Sequence, residues 1–231
     1  MNSAAPEHLH LLRPGRPRCG VTLRRSSASS PTTFERATFL RWKRKGKSPA
    51  HSGSIGELFG AEATALPLDA ERRHSEEALA AELGALGYPG YAHLAGSLRN
   101  PAEFLLDALD RSDLDVRTTE GLPWVVLRYP HLDWPWLLRE VKLRNRQNRL
   151  GFVVSLVKGA ALQNGPLAVL TSLEPVLSQL EDARLAKEDT LCQESWPPSR
   201  KQHARERRSN LAAHWKLDTL ITGADLTHYH G

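Results

Sequence analysis

The sequence predicts a mainly α protein: a multi-helix, bundle-like domain carrying a basic, partly disordered N-terminal arm. Three observations point there. Trp134, Leu137, Leu138 and Val141 recur at i, i+3, i+4 and i+7, a stripe on one helical face. Asn100-Pro101-Ala102-Glu103 is a strong helix start, with Asn100 as N-cap, Pro101 in the first turn and Glu103 facing the positive helix end. No segment shows the period-two alternation that a half-buried strand needs.

In chain order, residues 1–30 lack periodicity. Pro14, Gly15, Pro17 and Gly20, then the serines around Ser26–Ser30, predict loop or disorder. A helix is predicted next, capped by Thr32 or Thr33 and ending near Lys45, with Gly46 and Pro49 beyond it. Residues 1–50 are thus read as the arm, 51–70 as a linker punctuated by Gly53, Gly56 and Gly60, and 71–231 as the helical domain. A helix is expected over Asp69–Leu86, stopped by Gly87 and Pro89. Asp115 opens another, in which Gly121 and Pro123 force either a restart or a kink.

Asp133 is placed to cap Trp134–Arg144, and a second apolar series, Leu150, Val153, Val154 and Val157, follows the polar break Asn145–Arg149. Asn164-Gly165-Pro166 reads as a turn, and Pro175 as the first residue of a helix running to about Asp189. After Trp196-Pro197-Pro198, a last helix is expected over Ser199–Leu217, turning apolar at Leu211, Ala212 and Trp215. The central stretch 114–163 holds Trp124, Trp134 and Trp136 and is the predicted core, with both Trp134 and Leu138 buried.

Charge is distributed unevenly. The net charge is +5, but residues 1–50 hold eleven Lys and Arg against Glu7 and Glu35, a formal +9, which leaves −4 for the rest. A basic arm on a mildly acidic body is the pattern expected of a chain whose arm meets a polyanion, or of one with a solvated tail. Cys19 and Cys192 are too few and too far apart for a disulfide framework or a zinc site, which favours the cytoplasm. No apolar run approaches the roughly 18 residues that span a bilayer, so no membrane partner is expected.

Two stretches carry family resemblances. Thr38, Leu40, Arg41, Trp42, Gly46, Lys47, Ser48 and Pro49 resemble the end of a helix-turn-helix of the Cro/repressor kind, where a recognition helix closes; the supporting first helix is not visible in residues 20–30. The string Arg146-Gln147-Asn148-Arg149-Leu150-Gly151-Phe152-Val153-Val154 resembles a segment in the C-terminal part of AbiEi-type antitoxins, regulators encoded beside a nucleotidyltransferase toxin. That resemblance implies a DNA-binding N-terminal module and a larger domain serving the antitoxin role.

The resulting expectation is a DNA-binding transcriptional regulator of antitoxin type that acts by binding, without catalysis or cofactor. Its partners would be DNA and a cognate toxin protein. Arg41, Lys43, Arg44, Lys45 and Lys47 are the expected DNA contacts. Arg144, Arg146 and Arg149, in a belt with Lys142, are the candidate partner contacts; the competing reading pairs these arginines with Glu140, Asp133 or Asp115 and makes Asn145 a helix cap. The alternative function is a helical protein–protein adaptor with a solubilising basic tail. His203, His214, His228 and His230 lack a ligand-like pattern, and neither Ser155 nor Ser195 sits in a glycine-flanked nucleophile elbow.

Overall fold

A computed structural model describes residues 63–164 and 167–225. The expected arm, its helix and Arg41, Lys43, Arg44, Lys45 and Lys47 lie outside the described residues, as do His228 and His230. The described part is mainly α. Its helices are α1 (Glu76–Ala85), α2 (Pro101–Leu109), α3 (Val116–Arg128), α4 (Trp134–Leu143), α5 (Gln147–Asn164), α6 (Leu167–Glu181), α7 (Pro198–Arg207) and α8 (Asn210–His214). Two short strands, β1 (Asp189–Thr190) and β2 (Leu217–Asp218), pair in parallel, Asp189 opposite Leu217 and Thr190 opposite Asp218. No helix among the described residues is long and apolar enough to cross a membrane.

The helix starts follow local chemistry. Asn100 accepts from the Ala102 amide, Asp115 from Arg117 and Thr118, and Asp133 from Trp136, each supplying a first-turn N–H with its missing acceptor. At the end of α4, Asn145 sits at φ 57°, its amide bonded to the Lys142 carbonyl and that of Arg146 to Val141. That pair of bonds is a Schellman close, with asparagine at the left-handed position glycine usually takes.

Helix α2 runs through the middle and is buried along its whole length. Phe104, Leu105, Ala108 and Leu109 meet the core, while Glu103 and Asp107 face inward polar groups described below. Helix α5 packs chiefly on α6 and α3, burying Leu150, Phe152, Val153, Val154 and Val157.

Several expectations need correction. Residues 69–74 are not helical: α1 begins only at Glu76, after the N-cap Ser75, whose Oγ accepts from the Ala78 amide. The preceding segment is strapped to α2 instead. Asn100 donates to the Thr64 and Leu66 carbonyls, Arg73 pairs with Asp110, and the Asp69 amide donates to Glu103. Leu68 and Ala70 pack on the core, so the linker's end belongs to the domain.

Pro175 lies inside α6 rather than starting a helix, and of the two alternatives at Pro123 the restart does not occur, since that proline lies inside α3. An interior proline costs about 3 kcal/mol. Around Pro175, Leu173, Val176, Leu177 and Leu180 are all buried. At roughly 1.5–3 kcal/mol each, their burial outweighs the lost hydrogen bond. The same holds for Pro123, flanked by buried Leu122, Trp124, Val125 and Val126. Helix α6 stops at Glu181, and Asp189 enters a strand instead. The expected last helix is split after Arg207, because Ser209 caps α8 through the Ala212 amide. Leu138 is buried as expected, and Trp134 packs against the core with part of its surface exposed, its Nε1 donating to the Pro130 carbonyl.

Candidate functional site

The turn from α4 into α5 delivers Arg144, Arg146 and Arg149 to one region, against the segment between α6 and α7. Arg149 lies at its centre and is 0 % exposed. Its Nε and Nη2 donate to the two Asp189 oxygens at 2.8 and 2.9 Å, and Nη2 also to Glu194 at 2.8 Å. Nη1 donates to the carbonyls of Leu109 and Arg111 at 3.0 and 2.6 Å. All five guanidinium donors are thereby satisfied, the condition for burying such a charge.

Burial works against ionisation of both partners, but their mutual bond wins. Hydrogen bonding to Asp189 keeps Arg149 firmly protonated, and Arg149 holds the Asp189 carboxyl below its usual range. Cys192 lies beside them, where burial pushes its thiol up to about 11. A thiol so placed is a poor nucleophile at neutral pH.

In front of Arg149 opens a polar cleft of about 490 Å³. Its lining includes Arg146, Lys187, Asp189, Glu194, Lys201 and Asp218. Cations and carboxylates alternate across it: Arg146 reaches Asp110 at 3.2 Å, Arg205 grips Asp218 at 2.6 Å, and Arg208 reaches Glu188 at 2.6 Å. Hydrogen bonding from Arg208 holds the Glu188 carboxyl below its usual range.

No family model matches the chain, and neither does any curated protein or solved structure.

The three arginines expected at a partner surface are brought together, largely as internal ties. Arg144 pairs with Glu140 at 2.7 Å and donates to the Ala70 carbonyl. Arg146 is partly exposed on the cleft rim. Arg149 cannot touch a partner directly, because its side chain is wholly inside; the expectation is corrected there. The acids that hold them are mostly Asp110, Asp189 and Glu194. Asp133 and Asp115 cap helices instead. The signal available in the sequence was the acidic string around Glu188-Asp189, whose proximity to α5 no spacing rule reveals.

A second charged cluster was not foreseen. Arg99, buried between α1 and α2, donates to Glu103 at 2.7 Å, Asp107 at 2.9 Å and Glu82 at 3.3 Å. His74 Nδ1 meets the other Glu82 oxygen, and Arg111 donates to the His74 carbonyl. Burial pushes the Glu82 carboxyl above its usual range, against the pull of Arg99 and His74. A shallow cavity of about 500 Å³ beside it is lined by Arg73, His74, Ser75 and Glu82, among others. Among the described residues, no group of His, Cys, Asp and Glu is arranged to hold a metal ion. Ser155 accepts from the Trp215 Nε1 at 2.9 Å, and His214 meets Glu181 at 2.6 Å.

Proposed function

We propose that the protein is a DNA-binding transcriptional regulator of antitoxin type, acting by binding. The basic N-terminal residues contact phosphates, and the helical domain serves partner recognition. The observation that carries this reading is the segregation of charge: a formal +9 in residues 1–50 against −4 in the remainder. The ion pairs of the domain reinforce it. Arg99, Arg144, Arg146, Arg149, Arg205 and Arg208 each face carboxylates, so these cations are already neutralised, whereas the arm has almost no acids of its own. A polyanion is attracted to the arm and sees little net field from those paired arginines.

The resemblances of Thr38–Pro49 to a recognition-helix end and of Arg146–Val154 to AbiEi-type antitoxins support the same reading. Of the side chains with nucleophilic chemistry, Ser155 accepts from an indole and the Cys192 thiol is buried.

Arg41, Lys43, Arg44, Lys45 and Lys47 are the proposed contacts. If Lys43, Arg44, Lys45 and Lys47 each neutralise one phosphate, log affinity falls against log salt with a slope of roughly −3 to −4 from these four. The test is competition between the chain's own upstream DNA and random duplex at near-physiological salt. Preference for the upstream sequence, reduced by Arg41→Ala more than general affinity is, supports the regulator. Equal competition by both duplexes overturns it and leaves the protein–protein adaptor.

A further inference from the structure

Helix α7 has no apolar face to account for its presence. Of its residues only Ala204 is buried. It is tied to the body by charge, Arg205 and the following Arg208 both reaching Asp218. A helix that is polar on every side owes little to core packing, so its exposed side chains bear on why it is there. On the flank beside Ala204, Arg200, His203 and Arg207 recur at i, i+3 and i+7, and all three are exposed. Gln202 and Glu206 bond one another on the adjoining side, Glu206 lying one turn from His203. Arg200 and Arg207 have no carboxylate partner among the described residues, unlike Arg205 and Arg208. The Arg200 guanidinium carbon instead stands 4.2 Å from the centroid of the Trp196 ring.

We propose that the strip Arg200–His203–Arg207, with Trp196 beneath Arg200, is a second DNA-contacting surface, binding the phosphate backbone of duplex DNA. The proposal rests on the DNA-binding reading above and extends it from the arm to the folded domain. Stacking on the indole restricts the Arg200 side chain before any ligand arrives. It leaves the N–H edge of the guanidinium for a phosphate, which matches that fork geometry. Seven residues of helix separate Arg200 from Arg207 by about 10 Å along the axis. A duplex presents one charge per about 1.7 Å of its axis, so both arginines meet phosphates of one molecule. Contacts of this kind position a protein without reading bases, so the strip contributes equally to cognate and unrelated duplexes.

The experiment uses the full chain and fluorescence anisotropy, with labelled duplexes of the upstream and of random sequence, from about 50 to 200 mM salt. Four proteins are compared: unaltered, Arg200→Ala/Arg207→Ala, the arm variant with Lys43, Arg44, Lys45 and Lys47 changed to Ala, and the combination. Loss of two contacts reduces the log–log slope by about 1.8 on both duplexes, so the unaltered chain loses about twelvefold more affinity than the double variant across that salt range. The arm variant keeps a residual salt-dependent binding that the combination removes. Arg200→Lys/Arg207→Lys restores most of the slope, and Arg200→Gln/Arg207→Gln repeats the loss if the alanine pair lowers the melting temperature.

An unchanged slope in the alanine and glutamine pairs, with the arm variant flattened, overturns the strip and leaves the arm reading standing. Failure of the unaltered chain to bind either duplex overturns both, and is visible before any variant is read.

Discussion

The Trp215 indole occupies the space that a side chain on Gly151 would need: a Cβ there would lie 2.3 Å from Cζ3 and 2.4 Å from Cη2. Trp215 is wholly buried, and its Nε1 is fixed by Ser155, one turn further along the same helix. Position 151 therefore lets α5 take in the aromatic ring that closes the C-terminal segment onto it.

Gly151→Ala is the direct test. Helix propensity alone favours alanine by about 1 kcal/mol. Overpacking against a rigid ring costs roughly 1–3 kcal/mol, and the overlap is severe enough that destabilisation should win. Thermal melts should show a lower midpoint, partly recovered in Gly151→Ala/Trp215→Leu. A higher midpoint for Gly151→Ala alone would mean that the indole moves aside freely.

Arg149 supports a second expectation. Arg149→Ala strands the Leu109 and Arg111 carbonyls and leaves Asp189 without its partner. Breaking a buried ion pair by removing one side typically costs about 3–5 kcal/mol. Asp189 is 24 % exposed and can recover some hydration, which puts the expected loss toward the lower end. Chemical denaturation measures it. A variant within experimental error of the unaltered chain would show that the pair contributes nothing net.

These two residues also show what the sequence discloses. The caps at Asn100, Asp115 and Asp133 are legible because each effect is local: one side chain, two or three residues, one free amide. The mainly α class follows from the same periodicities. Pro175 misleads for the opposite reason, since its helix is decided by Leu173, Val176, Leu177 and Leu180 meeting the core, which no local rule weighs. The arginines of 144–149 are visible as a belt, but the roles of Arg146 and Arg149 depend on Asp110, Asp189 and Glu194, 36–48 residues away along the chain. The strap 64–74 is hidden for a similar cause: its partners, Asn100, Glu103 and Asp110, lie on or at the ends of α2.

Tryptophan truncation should separate core from margin. Trp215→Ala removes a fully buried ring and should cost roughly 3–5 kcal/mol. Trp134→Ala should cost less, because the ring is partly exposed, whereas that of Trp215 is wholly buried, and its polar tie is to Pro130 close by. Equal losses by calorimetry would indicate that Trp134 carries packing beyond what its exposure suggests.

Acid should probe the two charged clusters with opposite signs. The Asp189 carboxyl is held below its usual value: burial alone would raise it, but Arg149, the Thr190 amide and Arg146 prevail. A proton therefore binds the unfolded chain more readily, so Asp189 contributes stability above the ordinary aspartate value of about 3.9 and loses it as pH falls through the lower folded value. Glu82 is raised, chiefly by burial. Its contribution is present below the ordinary glutamate value of about 4.3 and declines as pH rises through the higher folded value. Urea unfolding between about pH 3 and 7 resolves the two. Asp189→Asn should be less stable than the unaltered chain at neutral pH, with the gap narrowing in acid. For Glu82→Gln, the unaltered chain should lose ground relative to the variant as pH rises from about 4 toward neutrality. Curves that run parallel to the unaltered chain in either variant would show that the corresponding carboxyl titrates alike in the folded and unfolded states.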